Sequence, residues 1–250
     1  MQQAELSYIL WLIIVENNYI CHHKTIKNLK FIMKKILLIA AVAVFGFSNV
    51  NAQEVSFGPK AGVNFANLNG DIEDNDIRIG FHIGGAAEIM FTEKMGLQAE
   101  LLYSLQGTKD SYSSTETIGG VTYTEEEEAK LNLSYINIPV SFKYYIANGF
   151  NVEAGPQVGI LVSAKSKYEY EERVQGGGYD ETYSESGDID IKDNISSIDF
   201  GLNFGLGYKM ENGLNFGARY NLGLSNVLDV DGTDDKLQNG VIQVSAGFMF

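Results

Sequence analysis

SSIDFGLNFGLGYK, residues 196–209, puts Ile198, Phe200, Leu202, Phe204, Leu206 and Tyr208 at every second position, with Asp199, Gly201, Asn203, Gly205, Gly207 and Lys209 between them. Successive side chains point to opposite faces of an extended chain but wind around a helix every 3.6 residues. The spacing therefore predicts a strand with one apolar face and one polar or small face. Seven other stretches repeat it.

Residues 54–68 set Val55, Phe57, Ala61, Val63 and Phe65 against Ser56, Lys60, Gly62 and Asn64. From residue 77, Ile79, Phe81, Ile83, Ala87, Ile89 and Phe91 oppose Arg78, Gly80, His82, Gly84 and Glu88. Next, Leu97, Ala99, Leu101, Tyr103 and Leu105 oppose Gln98, Glu100, Ser104 and Gln106. In residues 131–146, Ile136, Ile138, Val140, Phe142, Tyr144 and Ile146 face away from Tyr135, Asn137, Ser141 and Lys143. Residues 150–163, 213–224 and 241–250 complete eight strands. The connections alternate: short at 92–94, 147–149 and 210–212, and long at 108–130, 166–195 and 225–240. An even number of antiparallel strands with short turns at one end and long loops at the other is the pattern of a membrane barrel.

Alternation alone does not say which face is inside, but charge does. Lys60, Arg78, Lys143, Lys209 and Arg219, with Glu88, Glu100, Glu153 and Asp199, all fall on the polar side. A charge facing lipid at mid-bilayer costs about 2–4 kcal/mol, so the uncharged face is read as the lipid side. Aromatics of that face gather at the strand ends. Phe57, Phe91, Tyr144, Phe150, Tyr208 and Phe250 lie near the short turns, and Phe65, Tyr103, Phe200 and Tyr220 toward the loops. Two interface belts are expected. The nine inward charges are expected to pair, and an eight-stranded bore is just wide enough to be filled by side chains, so no open pore is expected.

The fold expected is thus all-β, an eight-stranded antiparallel up-and-down transmembrane barrel spanning residues 53–250. Ahead of it, MKKILLIAAVAVFGFSNVNAQ from Met33 has two lysines, an apolar run from Ile36 to Phe47, and small residues before a cleavable bond after Ala52. This is the layout of a Sec signal peptide over 33–52. The run is shorter than the roughly 20 residues a spanning helix needs. Residues 1–32 precede a complete leader and read as a mis-called upstream extension. Gln53 follows the cleavage site, which gives no cysteine for lipid attachment.

Export removes the sole Cys (Cys21), the sole Trp and two of the three histidines. Residues 1–52 hold five of the 18 Lys/Arg and two of the 32 Asp/Glu, so the mature chain carries 13 against 30, a net charge of −17. Such a surface repels nucleic acid. No cofactor, metal or catalytic residue is assigned. His82, the one mature imidazole, reads as a hydrogen-bonded filler near Arg78 and Glu88 rather than as a general base. DVDGTDD at 229–235 lacks the glycine and terminal glutamate spacing of a calcium loop. It reads as an exposed acidic turn, as do Asp71, Glu73, Asp74 and Asp76, and Glu125 to Glu128; bridging of a divalent cation to lipopolysaccharide phosphates is a lesser alternative.

Residues 108–130 hold six acids against two lysines, and residues 166–195 nine acids against three basic residues. Tyr112, Tyr123, Tyr168, Tyr170, Tyr179 and Tyr183 are interleaved there. They form either a recognition surface of rigid amphipathic rings or the tips of strands prolonged above the membrane.

Three stretches carry a family resemblance: FGPKAGVNFANL (57–68), YINIPVSFKYY (135–145) and the terminal VIQVSAGFMF (241–250). Together they resemble the outer-membrane β-barrel family of Bacteroidota that includes PorT-like proteins, across essentially the whole mature chain. The resemblance implies location in the cell outer membrane, roles from secretion and gliding accessories to surface interaction, and a terminal assembly signal at Phe248 and Phe250 read by the barrel-assembly machinery. Binding through the acidic loops to an envelope or extracellular partner is the function expected. Small-solute transport is the alternative, and a lipid-modifying or proteolytic activity resting on His82 is the third. The mature chain taken from an outer-membrane fraction is expected to change electrophoretic mobility on boiling; equal mobility with and without heat would remove the lipid-facing assignment of the apolar face.

Overall fold

The computed structural model describes residues 54–71, 76–230 and 235–250. The leader, the upstream extension, and Glu73, Asp74 and residues 231–234 of the acidic turns lie outside the described residues. Within them, one antiparallel sheet contains β1 (Glu54–Gly70), β2 (Arg78–Thr92), β3 (Met95–Ile118), β4 (Val121–Ala147), β5 (Phe150–Gly176), β6 (Tyr179–Asp190), β7 (Ile198–Lys209), β8 (Leu214–Gly223) and β9 (Leu237–Phe248). The sheet runs β4-β3-β2-β1-β9-β8-β7-β5-β6, and β4 also pairs with β5. That last pairing closes a ring of eight strands and leaves β6 outside it.

The eight strands expected from the alternation are therefore the eight of the ring. The stretches 108–130 and 166–190 are not loops, whereas 225–230 form part of an irregular connection. Paired residues run from Met95↔Tyr144 up to Ile118↔Val121 between β3 and β4, and from Ala147↔Phe150 up to Val121↔Gly176 between β4 and β5. β6 adds to the top of β5 from Lys165↔Asp190 to Gly176↔Tyr179. A tilted strand crosses a membrane in about 9–11 residues, so more than half of the 27-residue β4 and β5 stands beyond it. The upper halves of β3, β4 and β5 with β6 make a four-stranded blade on the loop side.

The strand faces lie as the charges require. All ten belt aromatics point outward with at least 36% of their surface exposed, Phe57 at 62% and Phe250 at 71%. Glu88, Glu100, Asp199 and Arg219 are buried in the bore.

The bore also holds something the strand alternation did not announce. At the loop end its filling changes from polar to apolar: Leu68, Leu131, Leu133, Tyr135, Leu161, Ala164 and Leu237 point inward and pack with Ile191, Ile195, Val227 and Leu228. The last four come from two connections that fold across the mouth and are tied there by backbone bonds. Ile195 bridges Leu228, Ile191 donates to Ala164, and Val227 donates to Leu237. The barrel is thus stoppered by a small hydrophobic core that excludes water from its outer end. Leu133→Ala, which truncates a fully buried side chain, is expected to lower stability by about 2–5 kcal/mol, read as an earlier urea midpoint for loss of the heat-modifiable band; an unchanged midpoint would mean the stopper contributes no packing energy.

Candidate functional site

Two places gather polar chemistry: the lower bore and the blade. In the bore, Glu100 on β3 is the hub. It accepts from Lys60 Nζ on β1 at 2.9 Å, from Gln98 Nε2, and from both terminal nitrogens of Arg219 on β8, at 2.6 and 3.2 Å. Arg219 Nε also donates to Glu153 on β5 at 2.7 Å. Gln98 passes the network on by accepting from Lys143 Nζ at 2.7 Å. Lys143 lies 3.6 Å from Glu88, which accepts from Lys209 Nζ at 2.9 Å and Tyr145 Oη at 2.6 Å.

Seven of the nine inward charges thus form one continuous network, each held from a different strand: β1, β2, β3, β4, β5, β7 and β8. The other two do not join it. Arg78 donates to the Gln106 carbonyl at 3.0 Å, and Asp199 accepts from Ser225 Oγ and Asn239 Nδ2 at 2.6 and 3.0 Å. They sit nearer the loop end, too far along the strands to reach the hub. Gln98 stands on the polar face as expected, whereas Tyr145 was not picked out in the sequence, although it shares the parity of that face.

His82 is not placed beside Arg78 and Glu88 as expected. Its Nδ1 lies 2.7 Å from Asn64 Oδ1 and its Nε2 2.9 Å from Ser245 Oγ. The register explains this: Gly62 pairs with both His82 and Ser245, and a Cβ there would come within 2.6 Å of His82 Cε1. The imidazole therefore lies across a glycine and reaches the next strand. Serine, histidine and asparagine in this order resemble a hydrolase triad. Yet Ser245 is buried in the bore between the charge network and the stopper. Asn64 Nδ2 is spent on the Phe81 and Leu105 carbonyls and Ser104, and Asn64 and His82 are buried as well.

The blade has two distinct faces. Cross-strand partners share a face, so the register assembles rows across β3, β4, β5 and β6. Tyr112, Glu127, Tyr170 and Glu185 form one row, and Ser114, Glu125, Glu172 and Tyr183 another on the same face. This face continues the inner wall of the barrel and also carries Tyr123 and Tyr168. The Tyr170 and Tyr183 rings meet edge to face at 6.3 Å. Tyr179 pairs with Gly176 at the tip, and its side chain lies outside what is described. Burial first and the neighbouring Glu172 second push the Tyr170 hydroxyl above its usual range; Glu185 does the same to Tyr183.

The other face continues the lipid-facing wall. Its rows are Ser111, Glu128, Glu169 and Ser186, then Ser113, Glu126, Glu171 and Ser184. These eight residues line a shallow concavity of about 490 Å³, a square of four glutamates flanked by serines. The tyrosines sit on strands prolonged above the membrane, as one of the two expectations had it. No group of three His, Cys, Asp or Glu among the described residues gathers in a way that could hold a metal ion. Phe248 and Phe250 pack edge to face at 4.9 Å at the turn end, and Phe250 donates its N–H to the Phe57 carbonyl at 2.9 Å.

A closed antiparallel ring with an apolar, aromatic-belted exterior and a charged, filled interior defines an integral β-barrel of the outer membrane. Residues 51–229 match the model of the outer membrane protein beta-barrel domain, and the chain belongs to that family. The protein resides in the outer membrane, in contact with its lipid. It is similar to the solved structure of Ail, the attachment invasion locus protein of Yersinia pestis, in complex with the heparin analogue sucrose octasulfate: 14% identity, 79% of this chain, 99% of the other, TM-score 0.37. Neisserial surface protein A is similar at 11% identity over 80% of this chain and 100% of the other, TM-score 0.35. CarO of Acinetobacter baumannii is similar at 15% identity over 76% and 97%, TM-score 0.31. No curated protein matches the chain in sequence.

Arg219→Met leaves Glu153 without its ion-pair partner and Glu100 with Lys60 alone. A loss of about 3–5 kcal/mol is expected, part of it recovered in the double variant with Glu153→Gln. Urea unfolding of the four members of that cycle checks it, and strict additivity would sink the network reading.

Proposed function

We propose that the barrel is a non-catalytic display protein whose blade binds a cationic partner at the cell surface. The observation that carries this reading is the direct opposition of acids on adjacent strands: Glu125 with Glu172, Glu126 with Glu171, and Glu128 with Glu169. Like charges directly opposite destabilise a sheet. A sheet that accepts three such pairs, two of them side by side on the serine-bordered face, gains most from a partner that supplies positive charge, and the serines offer hydroxyls for orienting it.

The stopper supports binding over transport. A solute entering from the loop side meets buried leucines rather than a lumen, and the lower bore is filled by the Glu100 network. The Ser245–His82–Asn64 arrangement supports a structural rather than a hydrolytic role for the histidine, since all three residues are buried in the bore. The resemblance to PorT-like proteins of Bacteroidota favours an envelope or secretion-accessory setting. Export with cleavage after Ala52 and recognition of Phe248 and Phe250 by the barrel-assembly machinery belong to the same reading.

The test uses the protein in lipid nanodiscs and a fluorescent oligolysine peptide as probe. Binding is expected to weaken at least tenfold on replacing Glu126, Glu128, Glu169 and Glu171 by glutamine, and to fall with added salt, because exposed charges are screened within about 8 Å at 0.15 M. Equal binding by the variant would overturn the acidic face as the recognition surface. Ohmic conductance in a planar bilayer would favour the channel instead.

A further inference from the structure

Just above the apolar band, the lipid-facing side of the barrel carries a row of lysines. Lys109 on β3 pairs with Lys130 on β4, and Lys130 with Lys167 on β5. Three ammonium groups thus stand abreast on neighbouring strands, where directly opposed like charges are unfavourable. Lys165, two residues below Lys167, shares the face and pairs with Asn132.

The surroundings of the row are lopsided. Carboxylates approach it from above and from the side: Glu128 contacts Lys130, Glu169 stands one row higher, and Asp188 and Asp190 lie along β6. Lys165 Nζ bonds Asp188 at 3.0 Å, which holds that carboxyl below its usual range. Asp76, beyond β3, accepts from Ser111. Asp76 bridges Lys109 and Asp188 pairs with Lys167 at the two ends of the row, but among the described residues no ion pair within 4 Å joins either lysine to an acid. Toward the membrane the neighbours on this face are Gly107, Asn132, Ser134 and Ser163, with no acid and no bulky apolar group. Below them the wall turns apolar at Leu105, Ile136 and Val162.

Height decides what fits there. Lys109 lies four residues beyond Leu105, Lys130 six beyond Ile136 and Lys165 three beyond Val162. At about 3.4 Å per residue and a tilt near 40°, that is roughly 8–16 Å above the last outward apolar side chains. The Lys130 and Lys165 ammonium groups are held by Glu128 and Asp188 in the row above; the stems of Lys109 and Lys167 are long enough to bring theirs down into the headgroup layer.

We propose that this patch is a binding site for the phosphate of a phosphorylated glycolipid of the outer leaflet, held from above by Lys109 and Lys167, with the paired Lys130 and Lys165 adding positive charge beside them and Asn132 and Ser163 as hydrogen-bond donors. The occupant follows from place and charge together: an anion is needed below the row, and below the row is lipid. Clustered Lys residues beside a membrane-spanning wall attract anionic headgroups. The site lies just below the acidic square, whose Glu128 contacts Lys130, and does not depend on the function proposed for that square.

Native mass spectrometry of the full barrel with lipid A tests this, comparing the bis-phosphorylated form with a dephosphorylated one of the same acylation. The wild type is expected to retain the phosphorylated lipid at least tenfold better, and Lys109→Gln with Lys167→Gln to abolish that preference while heat-modifiable mobility confirms that the variant is folded. Equal retention of the two lipids, or a variant with the wild-type preference, overturns the site. So does loss of the preference in chelator, which would assign it to metal bridging at carboxylates. The four-glutamine variant of the acidic face is expected to keep the preference in full.

Discussion

Closure of the sheet by the pairing of β4 with β5 is the constraint on which the rest of this molecule depends. Hydrocarbon offers no partner to a backbone N–H or C=O, and an open strand edge at membrane depth would leave a row of them unmet. Once the ring is closed, the two faces of every strand acquire fixed solvents. The outer face meets lipid and has to be apolar; the inner face is narrow enough that side chains fill it. Each charge inside then has to find its counter-charge across the bore, which is why Glu100, reached from β1 and β8 as well as its own strand, binds together strands remote in the chain.

The same closure shapes the parts above the membrane. Where water is present, edges no longer need to be sealed, and β3, β4 and β5 run on past the ring while β6 pairs only with β5. Their register is inherited from the barrel, so the face that was the inner wall becomes the tyrosine face and the one that was the lipid wall becomes the lysine row and the glutamate square. A single alternation thus passes through four environments, from belt aromatics through lipid-facing aliphatics and headgroup-level lysines to the water-exposed acidic square.

The bore is not uniform along its length. Its turn end is a charge network, its middle an amide and hydroxyl layer around His82, and its loop end an apolar stopper. The stopper was readable in part. Leu68, Leu131, Leu133, Leu161 and Leu237 share the parity of Asn64, Asn137, Gln157 and Asn239, and apolar residues on a polar face at the same end of four strands are the signal. What could not be read was the other half of that core, because Ile191, Ile195, Val227 and Leu228 sit in irregular connections with no periodicity to place them.

By itself the sequence determined the strand count of the ring, the faces and the inward charges, since period-two alternation is a local property and a charge facing lipid is too costly to misplace. It also supplied the acidic, tyrosine-rich stretches without deciding whether they were loops or strands. Only the tertiary structure decided which charges meet, because Lys60, Glu100, Glu153 and Arg219 become neighbours through ring closure and register across strands far apart in sequence. The same holds for His82 finding Asn64 and Ser245 instead of Glu88, and for three lysines dispersed over fifty-eight residues standing side by side. Pairing register is a non-local quantity, fixed by the whole ring, and no single strand contains it.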